Sequence, residues 1–230
     1  STNGYSTVFE NMIYPVIPFT IKGVIWYQGE ANVWKPSYYQ DLLTSMIYDW
    51  RGYWGYQFPF YYAQIAPYNY SNKDFSHLLR EAQRKTLKST KKTGMAILLD
   101  VGEKEDIHPG NKQDVGMRLA LLALEKDYNY NVVSSGPLYE DHRIVDDYIE
   151  ISFKSVGSGL TSRGKLKNFE IAGRNKKFYK ATARVVGNKV RVYSKKIKRP
   201  KHIRYAWKNW VEATLFNKEG LPASSFQSEY

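Results

Sequence analysis

Three short apolar runs, GVIWYQ (23–28), FPFYYAQI (58–65) and MAILLD (95–100), are bounded by turn residues and rich in aromatic and β-branched side chains. Runs of that length and composition fit strands buried on both faces. Between them the period changes. Tyr39, Leu42, Leu43, Met46 and Trp50 recur at helical spacing, and so do Phe75, Leu78, Leu79, Ala82 and Thr86, so each segment carries one apolar stripe. Asn111 is a good N-cap residue, and a third helix is expected after it with Val115, Leu119 and Leu122 on the buried side. Strand and helix in alternation predict an α/β fold, a parallel sheet flanked by helices.

Beyond about residue 135 the helical period is gone. Ile149, Ile151 and Phe153 alternate with polar neighbours, as do Val190 and Val192, and Ile203, Tyr205 and Trp207. Gly187-Asn188 sits where a tight hairpin turn belongs. This part predicts a β-rich antiparallel region. The turn-rich stretch 134–137 is the natural boundary, dividing the chain into 1–133 (α/β) and 134–230 (β-rich).

Charge follows the same division. The net charge is +12, yet residues 1–150 carry 15 Lys/Arg against 18 Asp/Glu, while residues 151–230 carry 19 against 4. A basic half with interleaved Tyr and Trp raises a nucleic-acid binder as one function class. Its cations are spread along every strand, however, and no nucleic-acid motif occurs, so a solvated basic face is the simpler reading and no nucleic-acid partner is expected. The absence of cysteine excludes disulfides, thiolate metal sites and a cysteine nucleophile. Apolar runs stay far below the roughly 20 residues that a membrane span needs, so no membrane partner is expected either. The start, STNGYSTVFENM, has neither the charged beginning nor the apolar core of a signal peptide.

In an open parallel sheet, ligands bind beyond the carboxyl ends of the strands. Three places qualify: Gln28-Gly29-Glu30, the stretch 64–67, and the loop 103–108. The last lies in DVGEKEDIHPGNK (100–112), which holds four acidic side chains and His108. A histidine there can take and return a proton near neutrality. Pro109 and Gly110 keep the loop from continuing as helix until Asn111. Asp106 or Glu105 could accept the imidazole Nδ1 proton and leave Nε2 facing a reaction, as the acid of a triad does. A capping or packing role for His108, and a plain strand exit at Gln28-Gly29-Glu30, fit the local pattern as well. Pattern alone leaves these readings open.

FENMIYPVIPFTIKGVIWYQGEAN (9–32), HLLREAQ (77–83), DIHPGNKQDVGMRLAL (106–121), NFEIAG (168–173), RYAW (204–207) and NKEGLPASSF (217–226) together resemble the bacterial sialate O-acetylesterase family of the SGNH, or GDSL-like, hydrolases. The resemblance implies an SGNH-hydrolase-like parallel sheet, with RYAW and GLPAS close to it, and no cofactor or metal. It implies that His108 is the general base and later the general acid of ester hydrolysis. The family's wider pattern places the triad acid at Glu105; the Asp-Ile-His order of closer relatives favours Asp106. Gln28 stands where such enzymes keep a side-chain amide for the oxyanion, with Glu30 and Asn32 placed to hold it. Arg80 belongs to the REAQ helix, where it could meet a substrate carboxylate or pair with a helix neighbour.

One departure matters. The family's nucleophilic serine lies in a GQSNM-like block on the first strand, and these 230 residues hold no such block. Ser158, in Gly157-Ser158-Gly159, lacks a strand-to-helix elbow and is given no nucleophilic role. The expectation is therefore a sheet whose first strand is missing and a serine supplied by an N-terminal segment of the same protein, the chain alone being inert. The substrate implied is an acetylated sugar, sialic acid first, with acetyl-xylan or another acetylated glycan as the alternative. A non-catalytic carbohydrate-binding fragment is a second class. The family implies action in the periplasm or outside the cell.

Overall fold

The computed structural model describes residues 6–71 and 73–229. A parallel three-stranded sheet is formed by β1 (Val24–Trp26), β2 (Phe60–Ala63) and β3 (Thr93–Ala96), in that order, with Ile25 opposite Tyr61 and Tyr62 opposite Met95. Three α-helices follow the strands: α1 (Tyr39–Trp54), α2 (Ser76–Ser89) and α3 (Lys112–Lys126). Alternation of side chains across the pleat splits the core in two. Phe60, Tyr62, Met95 and Ile97 point toward α1 and α2, and Tyr61, Ala63, Ala96 and Leu98 toward Val115, Leu119 and Leu122 of α3. The anticipated α/β order and the third helix are both present, and Asn111 caps α3 by accepting from the Asp114 backbone N–H at 3.1 Å.

Two details of β1 and α1 differ from the sequence pattern. Burial on both faces holds for β2 but not for β1, where Ile25 is 69 % exposed. Ile25 shares a face with Tyr61, but α3 packs chiefly on β2 and β3, which leaves Ile25 largely open. Secondly, the buried row of α1 is Tyr39, Leu43, Ile47 and Arg51, an i, i+4 ridge; Leu42 faces solvent and Met46 and Trp50 are half-buried. Arg51 ends this ridge because its guanidinium finishes on the backbone carbonyls of Phe58 (2.8 Å) and Lys92 (3.1 Å), pinning α1 to the starts of β2 and β3.

The rest is antiparallel β. Its strands are β4 (Leu138–Val145), β5 (Tyr148–Lys154), β6 (Leu160–Ser162), β7 (Phe169–Ala172), β8 (Tyr179–Lys180), β9 (Thr182–Val186), β10 (Lys189–Tyr193), β11 (His202–Tyr205), β12 (Leu215–Asn217) and β13 (Phe226–Gln227). They form sheets ordered β4-β5-β10-β9 and β13-β11-β7-β8, and the pair β12-β6. Val186 faces Lys189 across the two-residue Gly187-Asn188 turn, with Gly187 at φ 58° as such turns require. Trp207, expected to continue the Ile203 and Tyr205 alternation, lies beyond the end of β11. Ile149, Ile151, Val190, Val192, Ile203 and Tyr205 are fully buried, and one contiguous cluster joins them to Leu43, Phe60 and Leu79 of the α/β part.

Candidate active site

All three suspected segments emerge at the carboxyl edge of the parallel sheet. After β1 the chain turns at Gly29, whose φ of 149° and surroundings both demand glycine: a Cβ there would come within 2.9 Å of Ile65 and of Leu79. The tight turn divides its neighbours between two grooves. Gln28 goes to one side, into a small cleft of about 110 Å³ with Trp26, Asn32, Tyr39 and Met46. Its Nε2 donates to Asn32 Oδ1 at 2.6 Å, and Tyr39 Oη lies 3.0 Å from its Oε1. The amide is thus held by Asn32 and Tyr39, with one N–H still to offer.

Glu30 goes to the other side, into a groove of about 220 Å³ shared with Tyr27, Ile107, His108 and Lys112. Burial raises the Glu30 carboxyl above its ordinary range, against the opposing pull of its own backbone N–H and then of His108 and Lys112. The Tyr27 hydroxyl is pushed up by burial and by the neighbouring Glu30 charge.

His108 stands at the mouth of this groove, 87 % exposed. Asp106 Oδ1 accepts the backbone N–H of His108 at 2.8 Å and lies 3.9 Å from its Nδ1, so a small rotation of either side chain brings carboxylate and imidazole into hydrogen-bond range. Glu105 points elsewhere, toward Lys104 at 3.4 Å. The loop is anchored at both ends. Glu103 Oε1 accepts from the Gly110 N–H at 2.7 Å, and buried Arg118 of α3 donates to Ile97 O and both oxygens of Asp100 at 2.6 to 2.9 Å.

Arg80 requires a correction. It is fully buried and cannot meet a substrate carboxylate, nor does it pair with Glu81, which is taken by Arg84 at 2.6 Å. Its guanidinium donates to Ser76 Oγ (3.2 Å), Ser225 Oγ (3.2 Å) and the carbonyls of Ala206 (3.3 Å) and Lys208. Burial lowers its pKa to about 10. Arg80 is a clamp that fastens α2 to the RYAW and GLPAS segments. Gln83 and Gln64 act alike. Gln83 Oε1 accepts from the Ile65 N–H (2.9 Å) and its Nε2 donates to Ala63 O (3.2 Å), while Gln64 Nε2 donates to Ser224 Oγ (2.8 Å).

Sequence reasoning assigned no part to Tyr27, Tyr39 or Lys112. Tyr27 and Lys112 lie inside the segments 9–32 and 106–121 that carry the resemblance, but only the fold shows that they face one another, with Lys112 Nζ 6.0 Å from the centre of the Tyr27 ring. Ser158 lies in the turn between β5 and β6, where its backbone N–H donates to Glu219 Oε1 at 2.9 Å.

A parallel sheet flanked by helices, with an exposed histidine and a carboxylate at its carboxyl edge, defines an α/β protein with a polar cluster where such sheets bind ligands. Residues 2–124 match the family model "carbohydrate esterase, sialic acid-specific acetylesterase", and the chain belongs to that family. It is 32 % identical over 165 residues to a mouse sialate O-acetylesterase, covering 58 % of this chain and 29 % of that protein. The human sialate O-acetylesterase is 31 % identical over 157 residues, covering 59 % and 30 %. The crystal structure of a carbohydrate acetylesterase from Xanthomonas citri superposes with a TM-score of 0.91 at 37 % identity, over 96 % of this chain and 54 % of that one. The chain therefore spans under a third of the length of the curated relatives it matches.

Proposed function

We propose that this chain carries the proton-transfer half of a carbohydrate O-acetylesterase of the Ser-His-Asp type. The observation behind this reading is an exposed His108 beside Asp106, on an anchored loop after β3, in a family of carbohydrate esterases. His108 Nε2 accepts the proton of a serine hydroxyl as the serine oxygen attacks the acetyl carbonyl. The tetrahedral intermediate collapses, the C–O bond to the sugar breaks, and the same proton passes to the sugar oxygen. Water then repeats the sequence on the acetyl-enzyme and releases acetate. Asp106 orients the imidazole and balances its charge. Gln28 offers its remaining amide N–H to the oxyanion, held for that purpose by Asn32 and Tyr39.

The serine belongs to polypeptide outside these 230 residues. Two features support this part of the reading: the base is almost fully in water, where electrostatic catalysis is weak, and the β1 edge presents Ile25 uncovered. A strand docked on β1 would cover the second and bring a hydroxyl toward the first. The proposed substrate is an O-acetylated sialic acid, with other acetylated glycans next, acting in the periplasm or outside the cell. The test is acetate release by the full-length protein from O-acetylated sialic acid, acetyl-xylan and a neutral acetylated hexose, with His108→Ala as control. Turnover that survives in His108→Ala, or no turnover on any acetylated sugar, overturns the proposal.

A further inference from the structure

A group of lysines without acidic partners lies away from the grooves just described, in the β-rich region. A cleft of about 310 Å³ opens between the loop leading into β7, the β8–β9 junction and the segment after β11. Lys165, Lys167, Lys180 and Lys208 line it, and half-buried Trp207 forms one wall. None of the four lysines has a carboxylate partner among the described residues. Glu170, the one acidic residue of the lining, is already neutralised by Arg204 at 2.8 Å.

The walls are fixed before any ligand arrives. Two non-glycine residues sit in left-handed backbone conformations, Asn168 (φ 66°) and Ala206 (φ 53°), which for alanine is unfavourable and persists only where the surroundings impose it. Here the Ala206 N–H donates to Asn168 O at 2.9 Å, and Asn168 Nδ2 donates to Glu212 O at 2.9 Å. From beneath, the Arg80 clamp holds the carbonyls on both sides of Trp207, and the His77 ring packs edge-on against the indole at 5.2 Å. A half-exposed indole held this rigidly loses little entropy when something stacks on it.

Four exposed lysines bordering one cleft, with its one acid already paired, give it a positive potential that favours an anion. The indole wall offers an apolar face as well, which a bare inorganic anion does not use and the C–H face of a sugar ring does. Size points the same way, since the volume suits a small ligand. A nucleic-acid strand instead needs an extended groove with successive aromatic platforms. We infer that this Trp207-walled lysine cleft binds a carboxylate-bearing saccharide, with the sugar ring on the indole and the carboxylate among the lysines. The inference concerns direct binding and stands or falls independently of the role given to His108.

Calorimetric titration of the full chain with a galacturonic acid trisaccharide, and with the neutral galactose trisaccharide, tests it. Saturable binding of the acidic sugar is expected, about tenfold or more tighter than of the neutral one, and weakened at high salt. Lys167→Glu/Lys180→Glu alters two exposed side chains and is expected to weaken binding by about tenfold or more, while Trp207→Ala weakens both sugars. If melting shows Trp207→Ala to be unfolded, Trp207→Phe replaces it. Absence of saturable binding, equal affinity for the two sugars, or indifference to the double charge reversal overturns the inference. So does tighter, lysine-dependent binding of a single-stranded oligonucleotide.

Discussion

The two regions of the molecule handle charge in opposite ways. In the α/β part, cations go inside: Arg84 and Arg118 pair with Glu81 and Asp100, whereas Arg51 and Arg80 finish on carbonyl and hydroxyl oxygens, and each of these last two ties a helix to distant chain. In the β-rich part the cations stay outside, and the buried charge is an acid. Glu150, 2 % exposed in the middle of β5, accepts from Arg143 (2.8 Å) on one neighbouring strand and from Lys189 (3.0 Å) and Arg191 (2.9 Å) on the other. The strongly basic half is thus stapled by one carboxylate, while the nearly neutral half depends on buried guanidinium groups. Net charge, which divides the sequence so clearly, does not reveal which charges hold the fold.

The sharpest test of this comparison lies in the site, where the α/β part spends its exposed polar groups. In the full-length protein, His108→Ala is expected to lower kcat on the order of 10⁴- to 10⁶-fold, and Gln28→Ala about 10²- to 10³-fold, measured as acetate release with unchanged melting. Next comes the clamp. Arg80→Met strips hydrogen bonds from the carbonyls of Ala206 and Lys208 and from two serine hydroxyls, and denaturant unfolding should show a loss of about 3 kcal/mol. Glu150→Gln removes a hub, but its three cations can turn to water, so a smaller loss of about 2 kcal/mol is expected.

The subtlest test is acid titration of stability, because one buried group from each region, His77 and Glu150, should weaken it in a different window. Burial, and then the Arg80 charge, lower the His77 pKa from its ordinary 6.5 to about 4. The unfolded chain therefore binds the extra proton first, and this contribution to stability fades as pH falls from about 6.5 to 4. Glu150 is held at about 2 by Lys189 and Arg191. Its contribution is complete above about 4.5, the ordinary carboxylate value, and is lost as pH falls toward 2. Melting curves of His77→Gln should flatten the first window alone, and those of Glu150→Gln the second alone. A shared effect would mean that the two groups do not titrate separately.

Much of this architecture was legible beforehand. The strand and helix order, the cap at Asn111, the Gly187-Asn188 hairpin and the alternating buried positions of β5, β10 and β11 depend on side-chain period and turn chemistry, which are local. The site was half legible. Motif resemblance pointed to His108, Asp106 and Gln28, and all three lie at the carboxyl edge of the sheet. It could not show that Gly29 sends Gln28 and Glu30 into different grooves, or that Tyr27 and Lys112 join His108. Arg80 was misread for a related reason: on a helix as polar as REAQR, nothing local says that residues 206–225 will cover it.

The sequence by itself determined the periods, the turns, the uneven charge and the kinship, because each is written in neighbouring residues or in motifs. Only the tertiary structure decided which polar groups are buried and which face solvent. The Arg80 guanidinium meets Ala206 across 126 positions, and Gln64 meets Ser224 across 160. Whether a polar side chain becomes a clamp or a reactive group depends on the water that such distant partners displace, and that is a property of the packed molecule.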